Sequence, residues 1–411
     1  MTADFDPSVF TGTVFNRRTA QLNHAARWIA WDQYHLPEVF VGLEVELGAI
    51  HNGVMVEDKS PMTKYSFSGP GAADFLDYLL PRDVSKIEVN QLYYTPWCDH
   101  DGKLIDEHPV FRLDDGSYVN SGNPMTLWFE EHRGRFDVEI EDISAKFGVL
   151  AMQGPKSLKV LEALIPGEDW QNLRFARGRR AQLPGGAEVY VWRVGFTGQP
   201  GFEFWVPREV ALEVYDAIIA AGEPHGIVPC GHNAQNIARV EAGILMPGLE
   251  YMTAGPDALV AAYESTDSEA LSSPLELNLG RFVDLDKPAD FVGRDALLEE
   301  HQRGPARALM GLEVNWRDIV SLYDRIGAPP EISRRISWTR YPLRHEGHHV
   351  GHASSVCWSP MLRKMIGLCQ VRTDLAHAGT ALAMEWQAES GSGDVGVTVV
   401  DLPFIEDKRR G

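Results

Sequence analysis

Apolar residues recur three and four positions apart in Ala72-Ala73-Asp74-Phe75-Leu76-Asp77-Tyr78-Leu79-Leu80, and the run stops at Pro81. That spacing predicts a short amphipathic helix closed by the proline. Ahead of it, residues 51–69 alternate through Met55, Met62, Tyr65 and Phe67 as a strand does, ending in Gly69-Pro70-Gly71. The same device of strand, Gly-Pro and helix returns at Leu150–Pro155 with a helix over Lys156–Leu164, which hints at an internal duplication. Alternation predicts further strands at Ser117–Asn120, Phe136–Ile143 and on both sides of the turn Gly195–Gly201. Helical spacing covers Leu127–His132, 208–221 and 233–245. Residues 12–45 keep no single period, 246–275 are loop-rich, and the polar stretch 296–306 predicts a linker to a β-rich remainder.

One stretch breaks its own pattern. Gln91–Leu113 reads as a hairpin, with Tyr93 and Tyr94 before the turn Asp99-His100-Asp101-Gly102 and a second apolar run after it. Asp106-Glu107-His108-Pro109 interrupts that second run where a packed sheet wants an apolar residue. Pro109 removes a ladder N–H, so the strand is expected at an edge or with a bulge. Titratable groups beside a broken ladder point to a site.

Composition narrows the function. The chain has 411 residues, 44% hydrophobic and 23% charged, which is enough for two or three domains of an ordinary globular protein. A net charge of −20 argues against nucleic acid or an anionic membrane as partner, since both need a basic face. The N-terminal residues lack a signal-peptide pattern, and no apolar run spans a bilayer. Four scattered cysteines without a C-x-x-C motif suit a reduced, cytoplasmic protein.

Six segments, LYYTPWCDHDGKLIDE, VLAMQGPKS, VGFTGQPGFEF, IARVEAGI, DFVGRDAL and CWSPMLRKMIGL, fall in register along the chain. Together they resemble the glycine-cleavage T-protein superfamily of folate-dependent aminomethyltransferases and demethylases. The resemblance implies an α+β fold, a three-domain ring around a central tetrahydrofolate pocket with a β-barrel-like C-terminal domain. It implies residues 1–70 with 165–295 as a folate-binding domain, 71–164 as a second domain carrying the hairpin, and 296–411 as the barrel. The extended N-terminus and Glu313–Tyr323 look more like the demethylase branch, which acts on vanillate, syringate or dimethylsulfoniopropionate. Gln235-Asn236 stands where a T-protein is expected to carry Arg-Asp, and Gly198-Gln199-Pro200-Gly201 replaces its acidic turn.

By this resemblance Glu203 anchors the pterin, its two carboxylate oxygens matching the aminopyrimidine donors. Gln153, Tyr94, Val119 and Phe196 are expected to line the same pocket. Asp106 aligns with the carboxylate near the reacting nitrogen, and His108 lies two residues on, on the same strand face. Loss of methyl from an aryl ether expels a phenolate of pKa near ~10, so a proton donor helps, and histidine is poised to be one. His108 with Asp106 is the expected acid, and Tyr251 the second candidate. Tyr93, Trp97 and Trp192 are the candidates for contacts to the methyl donor. Trp97, Trp128, Trp192 and Trp205 could equally wall an aromatic ring or cage a sulfonium or ammonium. The missing arginine at Asn120-Ser121 implies a donor, or a hold on its carboxylate, unlike that for vanillate.

His345, His348, His349 and His352 sit in a glycine-rich turn whose spacing defines no tetrahedral metal site, and no dinucleotide fingerprint occurs. The expected activity is transfer of the methyl group of a methoxylated aromatic acid to tetrahydrofolate. Demethylation of a sulfonium or N-methyl compound, a glycine-cleavage-type aminomethyl transfer and a folate-binding protein without turnover are the alternatives. The expected partners are tetrahydrofolate and a small methyl donor, with the protein a monomer or homodimer and no metal.

Overall fold

The computed structural model describes residues 11–257, 271–331, 333–388 and 391–410. Two sheets lie face to face. The first is antiparallel and runs Glu139–Asp142, Thr63–Ser68, Tyr118–Gly122, Pro109–Arg112, Gln91–Tyr94. The second runs Gly178–Gln182, Glu188–Trp192, Gly201–Pro207, Phe147–Gln153, Val54–Asp58, Ile227–Pro229, with only the last pairing parallel.

Alternation along each strand decides the layering. Phe202, Phe204 and Val206 point into a core covered by the helices Ser157–Leu164 and Ala211–Gly222. Trp205, on the opposite face, joins Val149, Tyr190 and Trp192 against Leu92, Phe111 and Val119 of the first sheet. The outer face of that first sheet buries Tyr65, Phe67 and Val110 under the helices Ala72–Leu79 and Thr126–Arg133. Each sheet carries one copy of the strand, Gly-Pro, helix device, in keeping with the repeat seen in the sequence.

The C-terminal part is a closed six-stranded barrel, ordered Arg307–Val314, Lys364–Arg372, His348–Ser359, Tyr341–His345, Ala381–Ala388, Gly391–Val400 and back to the first strand. A further core draws on all three parts: Leu47, Met55 and Ile237, then Cys98 and Leu104 from the hairpin, then Leu309, Ile366 and Leu368 from the barrel. The hairpin tip is thus held at the meeting point of the molecule.

Two expectations change. The stretch expected as a linker is the helix Arg294–Arg303. Only Leu297 and Glu300 of that helix are buried, so its polar surface hides the period in the sequence. The strand Pro109–Arg112 is internal, flanked by Gln91–Tyr94 and Tyr118–Gly122. Pro109 is its first residue, a position where a missing N–H is tolerated.

Among the described residues no helix is long and apolar enough to cross a membrane.

Candidate active site

Titratable groups gather where the hairpin ladder breaks. Trp97–Cys98 pairs with Leu104–Asp106 and Gln91–Tyr94 with Pro109–Arg112, leaving Glu107 and His108 between the two ladders. The Asp106 side chain is fully buried, whereas 22% of the His108 side chain is exposed. His108 Nδ1 is hydrogen-bonded to Asp106 Oδ1. The same oxygen accepts the Glu107 N–H at 2.8 Å, and Oδ2 accepts the Asn123 N–H at 3.1 Å. Both carboxylate oxygens are therefore fixed, and with them the ring. Burial opposes protonation of His108, but the Asp106 charge, the hydrogen bond and Glu107 outweigh it and raise the histidine pKa.

Glu107, also buried, accepts a hydrogen bond from the hydroxyl of fully buried Tyr251. Burial raises the Glu107 pKa, His108 pulls it down and Asp106 adds to the rise. Tyr251 is pushed well up by burial and by the two carboxylates, and its proton is committed to Glu107. Tyr94 stands near the same acids: burial and the charges of Glu107 and Asp106 push its phenol well up, and its ring packs edge-on to Phe282 at 5.2 Å.

Glu203 projects from the face of its strand opposite to Phe202 and Phe204, paired to Ala151 on one side and Trp192 on the other. It is partly buried, and among the described residues no hydrogen bond reaches its carboxylate. Burial pushes its pKa up to about 7 against the pull of Lys59, with Glu57 adding to the rise and His108 opposing it. The coupling to His108 puts Glu203 and the Asp106–His108 pair within electrostatic reach of one another.

The other candidates have structural partners. Gln153 anchors the turn after Trp192: its Oε1 accepts from Thr197 Oγ1 at 2.7 Å and from the Phe196 N–H at 3.2 Å, and its Nε2 donates to Val194 O at 3.3 Å. Val119 sits mid-strand between Ser66 and Phe111, so its backbone belongs to the ladder and its side chain to the core between the sheets. Trp192 is fully buried, 4.8 Å from Phe111. Trp97, also fully buried, donates from Nε1 to the His108 carbonyl at 3.2 Å and so supports the site from behind. Tyr93 faces away from Tyr94, with the Arg82 guanidinium 3.7 Å from its ring. Phe196 is half-buried at the tip of its turn, 5.1 Å from the Lys59 ammonium.

Of the four arginines in the stretch 174–180, three are held in ion pairs: Arg177 with Glu88, Arg179 with Glu168, Arg180 with Asp114. His345 and His348 face each other across a hairpin. Among the described residues no group of three or more His, Cys, Asp or Glu could hold a metal ion. Three residues at the candidate site escaped the sequence reading. Glu107 belonged to the titratable group read there, without a role of its own. Asn123, Gly122 and Lys59 carry no local signal, because strand pairing alone brings them in.

A closed barrel joined to two packed α+β sheets, with a carboxylate–histidine pair at their junction, defines a class of fold and site. The profile of the GCVT N-terminal domain matches residues 14–255, and that of the glycine cleavage T-protein C-terminal barrel domain matches residues 329–406. The chain is 30% identical over 382 residues to an aminomethyltransferase of Clostridium botulinum (strain Loch Maree), covering 92% of this chain and 93% of the relative. It is 31% identical over 386 residues to an aminomethyltransferase of Shouchella clausii, covering 93% and 94%. The crystal structure of the glycine cleavage system aminomethyltransferase T from Bartonella henselae superposes with a TM-score of 0.78 over 97% of this chain and 99% of that one, a likeness of fold at 22% identity. This chain belongs to the glycine-cleavage T-protein (aminomethyltransferase) family.

Proposed function

We propose that this protein is a tetrahydrofolate-dependent O-demethylase, which releases the methyl group of a methoxylated aromatic acid to the folate and leaves a phenol. The observation that supports the reading is a partly exposed histidine, fixed by a buried aspartate that raises its pKa, within electrostatic reach of a carboxylate that has no hydrogen bond among the described residues. Glu203 suits the donor edge of a pterin, with Tyr94 and Phe196 as further contacts. The reduced folate, when bound, supplies a nucleophilic ring nitrogen. His108, in its protonated form, gives the departing phenolic oxygen the proton it needs, and Asp106 orients the imidazole and favours that form. Such an acid contributes ~10²–10⁴-fold.

A second reading is favoured by the names of the relatives, all aminomethyltransferases at about 30% identity. It is aminomethyl transfer of the glycine-cleavage type, in which the same proton would go to a departing amine. At the level of the family this reading has the broader support. The Asp106–His108 pair and Gln235-Asn236 favour the first.

Incubation with tetrahydrofolate and a panel of methoxybenzoates, sulfonium, N-methyl and aminomethyl donors tests both. The expected products are 5-methyltetrahydrofolate and the matching phenol, with turnover of aryl ethers by His108→Ala lower by ~10²–10⁴-fold. Turnover only of the onium or aminomethyl donors overturns the first reading.

A further inference from the structure

Three lysines are buried among the described residues: Lys59, Lys64 and Lys287. Two have more than one acceptor. Lys64 Nζ donates to the carbonyls of Ser60 at 3.0 Å and Met62 at 2.6 Å. Lys287 Nζ donates to Asp77 Oδ1 and Leu80 O, both at 2.9 Å, and to Arg82 O at 3.3 Å. Lys59 differs. Its backbone N–H is tied to Val149 O at 2.8 Å, which fixes it to the second sheet. Its ammonium donates to a single acceptor among the described residues, Gln235 Oε1 at 2.9 Å. Glu57 Oε1 is 3.9 Å away, beyond hydrogen-bond range, and is shared with His232 Nδ1 at 3.4 Å. An ammonium carries three donors, and a buried one left short of acceptors is costly unless something else completes its shell.

Its surroundings say what that something is. Nζ stands 5.0 Å from the Trp31 ring centroid and 5.1 Å from that of Phe196, so both aromatic faces already hold a cation. Phe196, a candidate of the pterin pocket, is thus the lysine's direct neighbour, and the ammonium charge is felt by both Glu203 and His108. A sulfonium or ammonium donor entering there meets a fixed like charge in a poorly screened space. A carboxylate would instead accept the open N–H donors in charge-assisted hydrogen bonds.

We infer that Lys59 is the anchor for an anionic group on the donor, so that this site selects a carboxylate-bearing donor and turns away a cationic one. The inference rests on the site assignment under Proposed function and narrows its substrate class.

The test is calorimetric binding, with tetrahydrofolate present, of a methoxybenzoate and of its uncharged methoxybenzamide, to the wild type, Lys59→Met and Lys59→Arg. A thermal melt, measured separately, verifies that each variant is folded. The acid is expected to bind the wild type ~10–100-fold more tightly than the amide, the span of one charge-assisted hydrogen bond. Lys59→Met is expected to erase that preference and Lys59→Arg to keep most of it. No binding of any aromatic acid, equal binding of acid and amide, or an undiminished preference in Lys59→Met overturns the inference. Should the methionine variant fail to fold, the acid-to-amide ratio of the wild type and of Lys59→Gln decides. Binding and turnover separate the two claims. An acid bound through Lys59 but never demethylated leaves the anion site standing and removes the O-demethylase reading, whereas demethylation without an acid preference does the reverse.

Discussion

Gly122 stands where a side chain would collide with the proposed acid. A β-carbon there would lie 2.5 Å from His108 Cγ and 2.8 Å from Asp106 Oδ2, distances that no real packing tolerates. Gly122→Ala is therefore expected to push the imidazole off Asp106 and lower kcat by about 10²-fold, the usual cost of misplacing a reacting group by roughly an ångström. Gly122 is buried, so the overpacking should also cost about 1–3 kcal/mol of stability; steady-state kinetics beside a thermal melt checks both. Full activity in the variant would mean that the Asp106–His108 arrangement is not used. At this scale Asp106 and His108 were legible as titratable groups beside a broken ladder, but not as one strand face, because the strand Leu104–Asp106 ends before His108. Glu203 was singled out through the family resemblance, and the strand period sets it opposite to Phe202 and Phe204. Lys59, Asn123 and Gly122 were not legible, because their roles exist only through partners far away in the chain. Gln153, Val119 and Trp192 show the opposite difficulty: a residue type suited to a ligand serves equally well to brace a turn or fill a core, and in this fold each does so.

At the scale of elements, the Asp-Gly turn and the flanking apolar runs announce the hairpin, and Gly102 adopts a φ of 69° there, as such a turn requires. What the runs do not reveal is that the hairpin divides into two ladders with Glu107 and His108 in the gap. Strand order is also hidden, since nothing local states that Tyr118–Gly122 lies beside Pro109–Arg112 and brings Asn123 to Asp106. Both Gly-Pro devices were legible because strand and helix have different periods on either side of them. The helix Arg294–Arg303 was lost for the converse reason, being mostly polar.

At the scale of the whole molecule, the barrel was legible only through the family resemblance. Alternation foretells strands but not closure. Its attachment is a buried polar network: Arg239 Nη1 meets Glu250 Oε2 at 2.8 Å and Nη2 meets Ser355 Oγ of the barrel at 2.6 Å, with both charged side chains fully buried. Removing one partner of such a pair strands the other charge, so Glu250→Ala is expected to cost about 3–5 kcal/mol in denaturant unfolding. A loss under about 1 kcal/mol, the range of a surface pair, would show that the network does not hold the barrel to the helix His232–Glu241, which carries Arg239. Glu203, on the second sheet, is proposed to grip the reduced pterin, and its protonation offers the most direct test. With a pKa of about 7, Glu203 is a neutral acid below that pH and a carboxylate above it, and only the carboxylate accepts both pterin donors. Tetrahydrofolate affinity, followed by calorimetry between about pH 5 and pH 9, should weaken about tenfold per unit below 7 and level off above. Glu203→Gln should bind weakly with no such slope. Tight, pH-independent binding in both proteins would contradict the account.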